Sequence, residues 1–501
     1  MSILLTLISA VLYAFAFPKF HFALTAFFFL IPLLYLIDKK TDKSFLVFFS
    51  FAFTSNIIIL YWIADVMVKY GGTSLLLGIL ALIFLSAFLA VFTGFAGILI
   101  KKSLSKQITL LLIPAIWISK DIILEYIFNG FPWCFVGYSQ HKNLFFIQIA
   151  ELGGIYFISF IIIFINLLFY FYFIKKKQIY LIVITLTFLT IYGSGYWLIK
   201  SLHRDINEIK YSKCGVIQPN AKNETYSEGE KNIFKKSNDE ILQNLFTTSK
   251  GLSDRDAQFI IWPEYTLSIY PLQNKHYLSK FYKFAKNNVS IIAGFTDFKN
   301  SDEIYNSAIL FKKGSIDKYD KVHLVPFGEY VLFKDLLFFI EKITKQIGEF
   351  TPGKNIKNIQ YDNHLISTPI CYEIIFPTLV RNFISKGGEL LITLSNDSWY
   401  GTSAAPYQLL AMAIFRSIEN RRYNIRATSN GISALISPTG EIIKKIDLNK
   451  KDTFIAKFKY INKKTIFTKF GYLFPLLNLV FVILLFLIPK LRNKKTENNF
   501  D

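Results

Sequence analysis

Apolar residues are distributed unevenly along the chain. Residues 1–200 and 472–489 hold nearly continuous apolar runs, whereas 201–460 mixes apolar and polar positions as a water-soluble protein does. A helix needs about 20 mostly apolar residues to cross the hydrocarbon core of a bilayer. The pattern therefore predicts a helical membrane domain at 1–200, a soluble domain at 201–465, and a C-terminal segment at 470–501 with one more transmembrane helix and a basic tail.

Eight apolar segments are candidate transmembrane spans. Seven precede the soluble domain and one follows it, at 3–17, 21–37, 45–66, 74–100, 107–127, 145–174, 179–199 and 472–489. The first two are short and are separated by Pro18, so a re-entrant hairpin is an alternative to two full spans. A cleaved signal peptide is a further alternative for the first segment, but the lack of a basic start and of a clear cleavage site disfavours it.

Basic residues indicate the orientation of these spans. The loops after the second, fourth and sixth spans and the C-terminal tail are rich in lysine and arginine, and the alternate loops are poor in charge. Loops rich in lysine and arginine remain in the cytoplasm. Both termini are therefore predicted to lie in the cytoplasm and the soluble domain on the opposite side. The basic residues are Lys39, Lys40, Lys43, Lys101, Lys102, Lys106, Lys175, Lys176, Lys177, Lys490, Arg492, Lys494 and Lys495.

Short β-branched runs alternate with helical stretches in the soluble domain, which predicts a layered α/β fold. The predicted strands are 213–218, 257–262, 289–295, 305–311, 363–370, 389–395, 432–437 and 453–459. The predicted helices are 229–250, 273–287, 374–386 and 405–422, and 219–230 reads as a loop.

Composition supports a membrane protein of more than one domain. The chain has 501 residues, of which 52% are hydrophobic and 18% charged, and a formal net charge of +21. A basic protein can bind nucleic acid, but no nucleic-acid-binding motif accompanies the charge, and much of it lies beside apolar spans. We therefore predict no nucleic-acid partner.

Cysteine and histidine give no metal or disulfide pattern. The three cysteines are Cys134, Cys214 and Cys371, an odd number without framework spacing, and no Cys-x-x-Cys occurs. The six histidines form no cluster with ligand spacing. We therefore predict neither a metal nor a cofactor.

Charged and aromatic residues surround the outer end of the fifth span. Lys120, Asp121 and Glu125 lie within it, where a charge is costly and often functional. The simpler interpretation is that they lie near the outer end and reach the interface. The aromatic residues of the following loop, 130–140, form either an interfacial belt or a surface where a lipid enters a site.

Three separate short motifs of the soluble domain contain candidate catalytic residues. They are Trp-Pro-Glu at 262–264, Asp-Lys-Val-His-Leu-Val-Pro-Phe-Gly-Glu at 320–329 and Pro-Ile-Cys-Tyr-Glu at 369–373. Cys371 follows an apolar run and precedes a helical stretch, and a helix N-terminus lowers the pKa of a thiol. By position alone, however, such a cysteine is more often a small buried hydrophobic residue.

An acid and a lysine complete the candidate site. Glu264 follows a buried strand, where partial desolvation raises a carboxyl pKa and suits it to general-base catalysis. Lys321 lies in a polar turn, and an ammonium near a thiolate can stabilise an oxyanion. Each residue alone is more simply explained as a solvated surface side chain, and only their joint contexts are specific.

These contexts resemble the nitrilase, or carbon–nitrogen hydrolase, superfamily with its Glu-Lys-Cys triad. With the membrane spans included, the whole chain resembles the family of bacterial apolipoprotein N-acyltransferases. The resemblance covers the span layout, the loop at 130–140 and the full soluble domain, including Asn-Asp-Ser-Trp-Tyr-Gly at 396–401 and Arg-Ala-Thr-Ser-Asn-Gly at 426–431. It implies an αββα sandwich joined to a polytopic helical membrane domain of about eight spans.

The resemblance also implies roles for individual residues. Glu264 would be the general base, Lys321 the oxyanion stabiliser, Cys371 the nucleophile, and Glu329 a second acid that orients the lysine or the leaving group. The residues that would line the substrate site are Tyr372, Glu373, Trp399 and Trp133.

The implied reaction is acyl transfer from a phospholipid, through a cysteine thioester, to the N-terminal amine of a diacylated lipoprotein. The implied location is the bacterial inner membrane, with a monomeric enzyme and its catalytic domain on the periplasmic side. The family's tryptophan near Tyr226 and its histidine at Leu409 are missing, which leaves lid and pocket details open. The alternatives are a membrane-tethered amidase that uses water and a non-enzymatic transporter or receptor. The second predicts polar residues deep in several spans, which the sequence lacks.

Overall fold

The computed structural model describes residues 2–69, 72–220, 238–300, 303–330 and 350–497, with side chains as far as 486. The chain divides into two compact units. We call Met1–Tyr61, Ile79–Leu198 and Lys469–Asp501 the membrane unit, and Trp62–Gly78 with Ile199–Thr468 the globular unit.

The helices are α1 (Ser2–Phe15), α2 (Leu30–Lys39), α3 (Ser44–Leu60), α4 (Trp62–Lys69), α5 (Leu75–Ser103), α6 (Thr109–Tyr126), α7 (Leu144–Ile147), α8 (Ala150–Phe173), α9 (Ile179–Ile206), α10 (Asn238–Ser253), α11 (Lys275–Asn287), α12 (Pro377–Ser385), α13 (Ala405–Asn420), α14 (Ile466–Phe470) and α15 (Leu473–Glu497). Single 3-10 turns occur at Ala23–Phe27, Val136–Gln140, Cys371–Ile375 and Asp397–Tyr400. The strands are β1 (Ser212–Gln218), β2 (Phe259–Ile261), β3 (Ser290–Asn300), β4 (Glu303–Lys312), β5 (Ser315–Asp320), β6 (Ile359–Tyr361), β7 (His364–Ser367), β8 (Leu390–Ser395), β9 (Asn424–Thr428), β10 (Ser433–Ile436), β11 (Ile442–Ile446) and β12 (Asp452–Phe458).

Helices occupy all eight predicted spans, but only some of them are long and apolar enough to cross a membrane. Among the described residues these are α5, α8 and α9, or four spans if α3 and α4 count as one broken span. Helix α1 and the segment Leu473–Phe486 are apolar but shorter. A membrane-type helical domain is therefore supported, whereas a count of eight spans remains a prediction.

Small residues allow close helix packing inside the membrane unit. A Cβ atom at Gly97 of α5 would lie 2.6 Å from the Phe48 side chain of α3, and one at Gly94 would lie 2.7 Å from the ring of Phe45. Glycine at these positions permits α3 and α5 to approach each other, as small residues do in membrane helix pairs.

The charged residues of α6 do not reach the surface of the unit. Lys120 and Asp121 are 7% and 0% exposed, and their Nζ and Oδ1 atoms lie 2.5 Å apart. Glu125 is also buried. The interpretation that these side chains extend to the interface is therefore wrong. Because the two charges neutralise each other, the pair can be buried at a lower cost than either charge alone.

The globular unit contains two six-stranded sheets. Their strand orders are β12-β1-β2-β3-β4-β5 and β11-β10-β9-β8-β7-β6. Strands β1, β2 and β3 are parallel in the first sheet, as are β7, β8 and β9 in the second, and the outer strands are antiparallel. Helices α10 and α11 bury Phe246 and Phe281 against the first sheet. Helices α12 and α13 accompany the second sheet, which gives the predicted layered α/β fold.

Two differences from the predicted elements have a physical cause. Strand β9 was not predicted because Arg426 interrupts its apolar pattern; in the structure that guanidinium is fully buried against Asp397. The predicted strand 363–370 ends at Ser367, and Ile370 then forms a single bridge with Leu394. The predicted helix 229–250 and loop 219–230 fall partly at 221–237, outside the described residues.

Segment Trp62–Gly78 belongs to the globular unit, although it lies between α3 and α5 in sequence. Helix α4 packs against the 3-10 turn Asp397–Tyr400. The Trp62 indole Nε1–H donates a 3.1 Å hydrogen bond to Gln408 Oε1 of α13, and its ring lies edge-on to Tyr400 at 5.2 Å. The globular unit therefore includes a piece of chain that the apolar pattern assigns to the third span.

Candidate active site

Cys371 occupies a strained position between a strand and a 3-10 turn. Its φ is +50°, in the left-handed region that non-glycine residues rarely adopt. The side chain is 6% exposed. Burial and the negative charge of Glu264 raise the pKa of the thiol above its usual value, while Lys321 opposes this shift. A thiolate at this position therefore needs nearby donors or cations.

Glu264 follows Pro263 just beyond the carboxyl end of β2, an interior strand of the first sheet. Its carboxylate accepts hydrogen bonds from Asn306 Nδ2 at 2.7 Å and from the backbone N–H of Asn396 at 2.7 Å. The side chain is 2% exposed, and burial raises its pKa above the usual value. A carboxylate with a raised pKa is suited to taking and returning a proton near neutral pH.

Lys321 directly follows β5 and is 1% exposed. Its Nζ lies 2.9 Å from Glu329 Oε1 and 2.8 Å from Oε2. Burial alone would lower the pKa of the ammonium, but Glu329 and Glu264 outweigh burial and raise it. Lys321 is therefore a fixed positive charge at any physiological pH.

Asn306 connects the two acids, and the sequence analysis missed it. Its Nδ2 donates to Glu264 Oε1 at 2.7 Å and to Glu329 Oε1 at 2.9 Å. The residue lies in the middle of β4 and is 1% exposed. A polar residue at a buried position of a predicted strand was the signal that could have identified it. Asn306 therefore links the carboxylate of Glu264 to the ion pair of Glu329 and Lys321.

The structure brings Cys371, Glu264, Lys321 and Glu329 together, since the charges of Glu264 and Lys321 shift the pKa of Cys371 and Glu329 contacts Lys321. Two carboxylates and one ammonium give a net charge of −1 if both acids are ionised. One carboxyl group in the cluster is therefore favoured to carry a proton as the thiolate forms. This is the combination that acid–base assisted nucleophilic catalysis requires.

Glu373 is fully buried and accepts several hydrogen bonds from the chain around it. Its carboxylate accepts from Tyr319 Oη at 2.7 Å and from the backbone N–H groups of Val322, His323 and Ile370 at 2.9, 3.1 and 2.8 Å. Burial raises its pKa to about 7. Glu373 thus ties the chain after Lys321 to the chain before Cys371.

The other predicted lining residues lie in different places. Tyr372 is 4% exposed and packs edge-on against Phe376 at 5.2 Å. Trp399 is half-buried in the turn Asp397–Tyr400. Trp133 belongs to the membrane unit, where it is buried and stacks on Phe131 at 5.5 Å.

Metal ligands do not cluster in the described part of the chain. No group of three or more histidine, cysteine, aspartate or glutamate side chains there could hold an ion. The three cysteines are free.

Two family models match the chain. Residues 218–460 match the carbon-nitrogen hydrolase model, and residues 9–168 match the model of the apolipoprotein N-acyltransferase N-terminal domain. The globular unit is therefore an enzyme domain of the carbon–nitrogen hydrolase superfamily, the class to which its two-sheet fold and buried cysteine point.

Curated relatives place the chain more narrowly. Apolipoprotein N-acyltransferase of Geobacter metallireducens is 30% identical over 463 residues, covering 88% of this chain and 86% of the relative. Proteins of the same name from Wigglesworthia glossinidia brevipalpis and Aquifex aeolicus are 31% and 27% identical, over 86% and 90% of this chain and 85% and 97% of theirs. The chain belongs to the apolipoprotein N-acyltransferase family.

Among solved structures, Saccharomyces cerevisiae Nit3, a member of branch 10 of the nitrilase superfamily, matches with a TM-score of 0.39 and 19% identity. The match covers 50% of this chain and 90% of Nit3.

Proposed function

We propose that the protein transfers an acyl chain from a membrane phospholipid to the α-amine of the diacylglyceryl-cysteine at the N-terminus of lipoproteins. The observation that carries this proposal is the buried cluster of Cys371, Glu264 and Lys321 in a chain that also has a membrane-type helical domain. The names of the curated relatives support the same reaction.

In the first half-reaction Glu264 takes the thiol proton of Cys371, and the thiolate attacks the carbonyl carbon of a phospholipid ester. The tetrahedral oxyanion is stabilised by the Lys321 ammonium. As the C–O bond breaks, Glu264 returns the proton to the departing lysophospholipid alkoxide. The acyl group remains on Cys371 as a thioester.

In the second half-reaction the lipoprotein α-amine attacks the thioester carbonyl, and Glu264 takes a proton from the amine nitrogen. The oxyanion collapses, the C–S bond breaks, and the sulfur regains the proton from Glu264. The product is the N-acylated lipoprotein. A covalent intermediate suits this reaction because the two bulky lipids need not occupy the site together.

The remaining polar residues act through this triad. Both carboxylate oxygens of Glu329 contact the Lys321 ammonium and hold it in place. Asn306 donates to Glu329 and to Glu264 and so fixes the position of one carboxylate relative to the other. Glu373 fixes the backbone before Cys371. Tyr372 and Trp399 line the substrate pocket. Trp133, a residue of the membrane unit, also binds substrate.

We place the protein in the bacterial inner membrane as a monomer with eight spans and both termini in the cytoplasm. The globular unit then faces the periplasm. The lysine-rich loops after the second, fourth and sixth spans support this orientation. A reagent that labels only periplasmic cysteines should modify a cysteine introduced at exposed Lys313 and not one introduced at Lys40.

Mass spectrometry of the purified protein after incubation with phospholipid tests the reaction. We expect an acyl adduct on the peptide that contains Cys371 and N-acylated lipoprotein when a diacylated acceptor is added. Cys214→Ala is the matched control, because Cys214 is also fully buried but lies in β1. An acyl adduct that persists in Cys371→Ala would exclude the proposed nucleophile. Release of ammonia or free acid without N-acylation would favour an amidase.

A further inference from the structure

Ser395 lies beside the candidate nucleophile. It is the last residue of β8 and is 0% exposed. Ile370 and Leu394 form a parallel bridge, so the next residues, Cys371 and Ser395, are neighbours across the two chain segments. At this position the Ser395 side chain lowers the pKa of the Cys371 thiol, against the larger raising effect of burial.

The same hydroxyl contacts a fixed carboxylate. Ser395 Oγ–H donates a 2.6 Å hydrogen bond to Asp397 Oδ1. Asp397 is 0% exposed, and Arg426 Nη2 donates to its two oxygens at 2.8 and 2.7 Å. A Cβ atom at Gly431 would lie 2.0 Å from Asp397 Oδ2, so the backbone closes the space beside the carboxylate. The Asp397 carboxylate is therefore held in place and stays where it is when the Ser395 hydroxyl rotates away from it.

A hydroxyl group has one hydrogen and can donate it to only one acceptor at a time. When Cys371 is a thiol, its S–H can donate to Ser395 Oγ while the hydroxyl hydrogen points at Asp397. When Cys371 is a thiolate, the sulfur has no hydrogen to donate, and its negative charge makes it a stronger acceptor than the thiol sulfur was. Arg426 continues to compensate Asp397 in either arrangement.

We propose that Ser395 is a catalytic residue whose hydroxyl hydrogen points at Asp397 while the sulfur is protonated or acylated and turns to the sulfur when the thiolate forms. This inference rests on the proposed nucleophilic role of Cys371. No atom is transferred by Ser395, since the thiol proton goes to Glu264. The hydrogen bond stabilises the thiolate both as it attacks the ester and as it leaves in the second half-reaction.

Alkylation of Cys371 by iodoacetamide measures the thiolate directly and needs no lipid substrate. The full-length protein in detergent is alkylated over a range of pH, and the modified Cys371 peptide is quantified by mass spectrometry. A hydrogen bond to a charged group stabilises it by about 1.5–3 kcal/mol, so Ser395→Ala should slow alkylation roughly ten- to a hundredfold at a fixed pH below the titration midpoint. The midpoint itself should move to higher pH.

Two further variants separate the hydroxyl from the shape of the side chain. Threonine and valine have the same shape, so Ser395→Thr should retain the wild-type midpoint and Ser395→Val should shift like Ser395→Ala. Ser367→Ala is the matched control, because Ser367 is a fully buried serine of the same sheet that donates to Asn358 Oδ1 at 2.8 Å. It should leave the midpoint unchanged.

The inference is overturned if Ser395→Ala or Ser395→Val keeps the wild-type midpoint, or if Ser395→Thr shifts as far as Ser395→Val. If Ser395→Ala does not fold, the Thr and Val variants decide. Failure of the proposed function gives a different result: Cys371→Ala would still form an acyl adduct while the alkylation midpoint still depended on Ser395.

Discussion

Replacing Asn306 by alanine removes an amide that donates to both Glu264 and Glu329. The lost hydrogen bonds are 2.7 and 2.9 Å long, and all three side chains are at least nine-tenths buried. A hydrogen bond to a charged group contributes about 1.5–3 kcal/mol. Asn306→Ala should therefore destabilise the globular unit by about 3–6 kcal/mol at a pH where both acids are ionised.

The same change alters the pH dependence of catalysis. The Asn306 hydrogen bond lowers the pKa of Glu264 against the larger raising effect of burial. Without it the pKa of Glu264 rises further, so the general base is protonated at higher pH. The acidic limb of the rate profile for acyl-adduct formation should move toward alkaline pH by roughly one to two units.

Stability and rate can be measured on one protein sample. Thermal melting over a range of pH should show a deficit of Asn306→Ala that shrinks as pH falls, because a protonated carboxyl group needs the donor less. Asn358→Ala is the matched control, since Asn358 is a buried asparagine whose Nδ2 donates to the neutral carbonyls of Phe383 and Lys386. The reasoning would be refuted if the acidic limb of the rate profile did not move in Asn306→Ala and the variant lost no more melting temperature than Asn358→Ala.

Three other substitutions give expected outcomes of different kinds. Lys321→Met keeps an unbranched side chain that is one atom shorter but removes the charge, and single-turnover release of lysophospholipid should slow by about 100- to 1000-fold. Trp62→Leu removes the hydrogen bond to Gln408 and the edge contact with Tyr400, and should lower the unfolding free energy of the globular unit by about 1–3 kcal/mol in denaturant titrations. Glu373 has a pKa raised from 4.5 to about 7, so its contribution to stability is full below pH 4.5 and is lost as pH rises through about 7. Glu373→Gln should remove about 3 kcal/mol of that pH dependence, and an identical melting profile for variant and wild type would contradict the assignment.

Local sequence identified the candidate triad because each member lies at a recognisable chain feature. Cys371 and Glu264 follow apolar runs, just beyond the carboxyl ends of interior strands. Lys321 follows β5, which pairs with β4. Their supporting residues gave no such signal. Asn306 and Ser395 occupy strand positions that look like ordinary sheet residues, and their importance depends on which loops lie opposite.

The local apolar pattern could not assign the segment Trp62–Gly78 to the globular unit, for a related reason. Its apolar start continues the hydrophobic run of α3, so periodicity extends the third span to residue 66. The contacts of Trp62 with Gln408, 346 residues later in the chain, and with Tyr400 show that this stretch belongs to the globular unit. Hydropathy reports that a residue avoids water, and it does not distinguish a lipid neighbour from a protein neighbour.

The amino-acid sequence by itself determined the helical nature of the membrane unit, the alternation of strands and helices in the globular unit, and the family. These properties follow from burial and backbone preference within short windows of chain. The tertiary structure alone decided that Asn306 bridges two acids 42 and 23 residues away, and that Ser395, which follows the strand bridge beside Cys371, donates to Asp397 of the Asp397–Arg426 pair. Such contacts arise from sheet order and register, which bring distant segments together and leave no trace in the local pattern of either one.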